Sequence, residues 1–153
     1  MQKLANSLLN GRRPSVKVYG AFVCAAFLLL ACGRPSPKFS QYYVQGEKLY
    51  IKHCSNCHQV DGSGLARLYP PLNDSDYMQK NFRDVMCLIR YGKSGELMIN
   101  GQQFNQPMPA VPSLTDLEIA EIGTYIYNSW GHQRGIVEVK EATEILSSCV
   151  KQD

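Results

Sequence analysis

Two thiols three positions apart, followed at once by an imidazole, carry the chemistry of this chain: Cys54-Ser55-Asn56-Cys57-His58. Cys-x-x-Cys-His is the pattern at which haem is attached covalently. The thiols of Cys54 and Cys57 can add to the two vinyl groups on one edge of a porphyrin, and His58 then reaches the iron from the proximal side. Such bonds keep the cofactor where free haem would be lost by dilution, outside the cytoplasm. Two other chemistries use the same residue types. A structural zinc wants four ligands, usually as two pairs, and no second Cys-x-x-Cys or His-x-x-x-His follows. A thioredoxin-like redox pair begins a helix after a strand, whereas this motif follows a helix-like segment. The spacing therefore predicts one covalent haem in an exported redox protein.

A methionine thioether is a common second axial ligand and raises the potential relative to a second histidine. The chain has five methionines. Met1 lies in an N-terminal targeting segment, Met78 and Met86 fall on helical stretches, and Met98 sits in a hairpin strand. Met108 occupies Gln106-Pro107-Met108-Pro109, a loop pinned by proline on both sides. A rigid loop loses little entropy on ligation, so Met108 is the expected ligand of the iron opposite His58. The alternative is a thioether that only fills a gap in the core. His53 cannot easily reach the distal face, and His132, after the last core helix, is expected in solvent, with ligation by His58 and His132 as the alternative.

These residues need helices to hold them. A first helix is predicted over residues 41–53, with Ser40 as N-cap. Tyr43, Gly46, Leu49 or Tyr50, and His53 share one of its faces. Gly46 costs about 1 kcal/mol against alanine in a helix, and a close helix crossing would explain it, with Gly123 and Tyr127 as mates. Residues 59–71 read as a loop in which Gly62 and Gly64 permit positive φ, either beside a bulky ligand or in an ordinary surface turn. A carbonyl of Pro70 or Pro71 could accept from the His58 ring N–H. Two short helices split near Asn81 follow, the second presenting Phe82, Val85, Met86 and Ile89 and stopping at Gly92. Asn100-Gly101 marks a hairpin. Thr115-Asp116-Leu117-Glu118 is a capping box. It opens a last core helix with Leu117, Ile119, Ile122, Ile126 and Trp130 on a broad apolar face, ending at Gly131.

The N-terminus reads as a targeting segment. Residues 1–31 hold Lys3, Arg12, Arg13 and Lys17 and no acidic residue. The apolar run from Val18 to Ala31 is shorter than the about 20 residues of a comfortable span, as in a secretory signal. Leu29-Leu30-Ala31-Cys32 resembles the lipobox of bacterial lipoproteins, which implies cleavage before Cys32 and acylation of that residue. The alternative is an uncleaved anchor helix. The expected organisation is a signal at residues 1–31, a lipidated tether at 32–40 and one domain at 41–153. The whole chain carries 16 basic and 13 acidic residues. Without the four basic residues of the signal its charge is −1, so the basic balance belongs to the signal and makes no case for nucleic acid.

The pieces Gly46-Glu47-Lys48-Leu49-Tyr50, the haem motif, Tyr69-Pro70-Pro71-Leu72, the Met108 loop and Leu114 through Trp130 cover most of residues 42–131. In that order the chain resembles a class I c-type cytochrome, more closely the monohaem, membrane-anchored bacterial type. The resemblance implies an all-α cytochrome c fold with its N- and C-terminal helices crossed beside the haem. It also implies His58/Met108 ligation and one-electron transfer. The hairpin and a C-terminal extension beyond Gly131 depart from the minimal fold.

The expected function is a non-enzymatic carrier of single electrons between protein partners at the periplasmic face of a bacterial membrane, with no small-molecule substrate. The alternatives are an electron-transfer subunit of a larger dehydrogenase or oxidase, or a haem enzyme or sensor with an open iron position. Setting aside the cysteine in the signal, the lipidated one and the two on haem leaves Cys87 and Cys149 for a disulfide. Ala142, Ile145, Leu146 and Cys149 share one face of a short helix that could dock on the outer side of the Cys87 helix. The alternative is two buried free thiols.

Overall fold

The computed structural model describes residues 35–149. The expected signal segment and Cys32 lie outside the described residues. The elements are α1 (Pro37–His53), α2 (Ser55–His58), α3 (Asp76–Lys80), α4 (Phe82–Tyr91), β1 (Leu97–Ile99), β2 (Gln102–Phe104), α5 (Asp116–Ile126) and α6 (Val139–Ser147).

The first helix begins earlier than expected. Ser36, not Ser40, is its N-cap and accepts from the Phe39 amide at 3.1 Å. Pro37 takes the first turn, where its missing N–H costs nothing. Residues 37–40, expected as tether, are therefore helical.

α1 crosses α5 at Gly46. A β-carbon there would overlap the Glu121 carbonyl oxygen and lie 2.9 Å from the Tyr125 β-carbon. Only glycine permits this approach. The mates are thus Glu121 and Tyr125, each two residues, about half a turn, before the expected Gly123 and Tyr127. Gly123 instead makes room for Met86, whose sulfur would lie 2.9 Å from an added β-carbon.

α5 starts in the predicted capping box, with Thr115 Oγ1 accepting from the Glu118 amide and Glu118 Oε2 accepting from the Thr115 amide. Ile119, Ile122 and Ile126 are buried, but Leu117 is 44% exposed. Two residues turn a helix by about 200°, so Leu117 and Ile119 cannot share a face. The helix ends at Ile126, short of the expected Gly131. Asn128 Nδ2 donates to the Thr124 carbonyl at 2.7 Å, and Ser129 Oγ to that of Tyr125 at 2.7 Å. Such side-chain bonds offer the backbone an alternative to the helix ladder. Trp130 follows at φ +52°.

The extension is part of the core. Asn128 brackets Gly135, accepting from its amide and donating to its carbonyl, both at 2.8 Å. The Val137 amide donates to the buried Thr124 hydroxyl at 2.9 Å. Ala142, Ile145 and Leu146 are buried where α6 packs on α4 and α5. Cys149 is bonded to Cys87, their Cα atoms 5.7 Å apart.

β1 and β2 form an antiparallel hairpin pairing Leu97 with Phe104 and Ile99 with Gln102. Asn100 and Gly101 both take positive φ, 51° and 73°, as a tight hairpin turn demands. Asn100 also latches the hairpin to α3. Its amide donates to Asp76 Oδ1 at 2.8 Å, and its side-chain oxygen accepts from the Asp76 amide at 2.9 Å.

Candidate haem site

α1 delivers the haem motif. Its C-cap is Cys54, and the single turn of α2 carries Cys57 and His58. Neither thiol is in a disulfide. Burial pushes the Cys54 thiol up to about 12, and the neighbouring Cys57 adds to the shift. A thioredoxin-like pair needs the opposite, a stabilised thiolate. Among the described residues no three His, Cys, Asp or Glu side chains converge as a metal-binding group.

Loop 59–72 folds back over the motif. The Tyr50 hydroxyl, on a fully buried side chain, donates to the Gln59 carbonyl at 2.6 Å and steadies a residue at φ +63°. The Gly64 amide donates to the His58 carbonyl at 3.0 Å. A β-carbon at Gly64 would lie 2.6 Å from the Pro70 carbonyl carbon, so glycine lets Pro70 close in. The expected partner of Gly62 and Gly64 was a bulky ligand. The glycines instead face protein: Gly62 faces the Trp130 ring, 2.8 Å from an added β-carbon, and Gly64 the Tyr69–Pro70 backbone.

The result is a set imidazole. His58 Nδ1 lies 3.0 Å from the Pro70 carbonyl oxygen. A carbonyl can only accept, so Nδ1 carries the proton and Nε2 the lone pair. Burial lowers the pKa of His58, against a smaller opposing effect of the Pro70 hydrogen bond. The ring is therefore held neutral, the form that ligates a metal.

Met108 is set from the other end of α4. Its amide donates to the Lys93 carbonyl and its carbonyl accepts from the Lys93 amide, both at 2.9 Å. This short antiparallel bridge, with a proline on each side, holds the loop extended.

Cys54, Cys57, His58 and Met108 all line one cavity of about 190 Å³. Every element except α6 contributes to its walls, which are mostly apolar, with Val85, Leu88 and Ile89 from α4 and Leu97, Ile99 and Phe104 from the hairpin. That volume exceeds the about 150 Å³ of an engineered cavity able to take up benzene. Packed interiors leave few voids larger than a water. An apolar enclosure, two thiols, a neutral imidazole with its lone pair uncommitted and a thioether fit a covalent haem, and the residues present would hold one.

Other residues fall differently. Met78 also lines the cavity, a second thioether that the sequence placed only on a helix. Met86 is packed against Gly123, and Met98 is 57% exposed. His132 is not in open solvent as expected. Its Nε2 donates to the Leu72 carbonyl at 3.0 Å, and it lies outside the cavity wall. Tyr50 had no sequence signal as a support of the site, because its partner is the Gln59 carbonyl, a backbone group brought close only by the loop.

The cytochrome c family profile matches residues 43–130. Cytochrome c-552 of Thermus thermophilus is 30% identical over 104 residues, 65% of this chain and 79% of that relative. The cytochrome c subunit of alcohol dehydrogenase (quinone) from Gluconacetobacter polyoxogenes is 29% identical over 108 residues, 67% of this chain and 22% of that relative. The fructose dehydrogenase cytochrome subunit of Gluconobacter japonicus is 28% identical over 109 residues, covering 67% and 22%. The match runs through the haem motif and the methionine loop, and the chain belongs to the cytochrome c family, which holds haem c covalently and transfers electrons.

Proposed function

We propose that this protein is a monohaem electron carrier. In it Cys54 and Cys57 hold the haem through thioethers and His58 and Met108 ligate the iron. A lipid on Cys32 tethers the domain to a bacterial membrane on the periplasmic side. The observation that carries the ligand assignment is the convergence of a tautomer-set imidazole and a doubly hydrogen-bonded methionine on one apolar cavity.

Haem supplies the one-electron chemistry. The chain's own residues do the rest. Pro70 keeps His58 oriented and its lone pair basic. The Lys93 bridge presents Met108 with little freedom left to lose. The apolar walls exclude water and disfavour the more highly charged oxidised state, which raises the potential. With His58 and Met108 both holding the iron, the chain would leave no position for a substrate there, which supports a carrier rather than an enzyme. Its partners are redox proteins.

A second reading, an electron-transfer subunit of a larger dehydrogenase, is favoured by the relatives whose names say so, which this chain matches over 22% of their length. Potentiometry of the holoprotein tests the carrier: a single one-electron wave is expected, and two waves or none contradict it. Fractionation tests the tether: wild type sediments with membranes and Cys32→Ser releases a soluble or unprocessed form. A mature N-terminus elsewhere than Cys32 contradicts the lipid. Native electrophoresis of gently solubilised membranes separates the two readings, a haem band running alone or with a dehydrogenase.

A further inference from the structure

We propose that Gly92 is a positioning residue for the axial methionine: its bare α-carbon is the seat on which the Met108 loop is laid. The proposal rests on the reading that Met108 ligates the iron.

Gly92 is the C-cap of α4, at φ +74°. A β-carbon there would lie 2.5 Å from the Met108 carbonyl oxygen, 2.7 Å from the Ala110 amide nitrogen and 3.1 Å from the Pro109 carbonyl carbon. All three neighbours are backbone of the methionine loop, so no side chain can rotate away. The next residue, Lys93, makes both reciprocal bonds to Met108. One residue before the cap is Tyr91, and two before that Ile89, which lines the cavity and accepts from the Val111 amide at 3.4 Å. α4 therefore walls the cavity with one stretch and seats the ligand loop with the next. A side chain at 92 must lift the loop, and the sulfur moves with it. The stop signal read from the sequence at Gly92 explains the helix end but not this contact.

Two demands act at Gly92, the left-handed backbone and the close approach. Gly135 separates them, since it has φ +91° and nothing within 4 Å of an added β-carbon. Gly92→Ala and Gly135→Ala holoproteins should be compared with wild type. Gly92→Ala should lose the near-infrared sulfur-to-iron band of the ferric protein, show a lower potential and exchange the Lys93 and Met108 amides about tenfold faster or more. Gly135→Ala should keep all three. Equal behaviour of the two variants overturns the proposal. If Gly92→Ala does not accumulate folded, wild-type hydrogen exchange decides: protected Lys93 and Met108 amides support the seat, and amides exchanging at unprotected rates overturn it. Met108→Ala keeps the underlying reading distinguishable, because retention of the band there refutes the ligand, while amide exchange in Gly92→Ala still reads the seat.

Discussion

Gly46→Ala tests the helix crossing that brings the haem motif to its partner helix. In the bare helix alanine would gain about 1 kcal/mol over glycine. Against this, the new β-carbon meets the Glu121 carbonyl group and, at 2.9 Å, the Tyr125 β-carbon. Overpacking costs about 1–3 kcal/mol, and the upper end applies because backbone cannot rotate aside. The net loss is about 2 kcal/mol. Gly123→Ala is the internal comparison. Its β-carbon would meet the Met86 sulfur at 2.9 Å and the Met86 methyl at 3.1 Å, the far end of a flexible side chain. Gain and cost there nearly cancel. The assay is guanidinium unfolding of the ferric holoproteins followed by Trp130, the one tryptophan of the chain. Its ring sits 5.4 Å from that of Tyr50, a residue of the cavity wall, so haem quenches its emission until the fold opens. Gly46→Ala within about 0.5 kcal/mol of wild type, the scatter of neutral surface changes, would refute the crossing, as would a larger loss in Gly123→Ala.

Three further outcomes are expected. Reducing the Cys87–Cys149 bond, which spans 62 residues, should cost about 4 kcal/mol by chain entropy less any strain, read as a lower guanidinium midpoint while the thioether-bound haem stays on the chain. Tyr50→Phe leaves the Gln59 carbonyl without its buried donor and should cost about 1–3 kcal/mol, read in the same titration. Asp76 is held below its ordinary 3.8 by the Asn100 amide first and Lys80 second. Its contribution to the hairpin latch is therefore complete above 3.8 and lost as pH falls through the lower folded value. The Asn100 amide resonance should titrate with a midpoint below 3.8, and a midpoint above it would show the latch absent.

The haem motif, the methionine loop, the capping box and the Asn100-Gly101 turn were legible because each is a local pattern with a local cause. The amphipathic stripe of Ala142, Ile145 and Leu146 showed that the extension had a helix to bury. What could not be read was set by distant backbone. The Gly46 crossing was visible as a costly glycine, but its mates were misassigned by two residues, about half a turn, since register between helices is decided by packing. Leu117 was placed on the apolar face by counting hydrophobic residues rather than angles. The end of α5 was overrun because Asn128 and Ser129 compete for its last carbonyls, a choice made only when the Gly135 turn docks on Asn128. The second cavity methionine, Met78, lay in a short helix whose orientation depends on Tyr127, 49 residues on, whose hydroxyl holds the Met78 carbonyl at 3.0 Å.

Access to the iron tests the central claim most directly, because a carrier with both axial positions filled has no place for an exogenous ligand. Carbon monoxide should be added to the ferrous wild type, Met108→Ala and Met78→Ala holoproteins and the Soret band followed. Wild type and Met78→Ala should be unchanged, and Met108→Ala should bind the gas at once. Binding by the wild type, or by Met78→Ala in place of Met108→Ala, would contradict the assignment of His58 and Met108 as the two ligands.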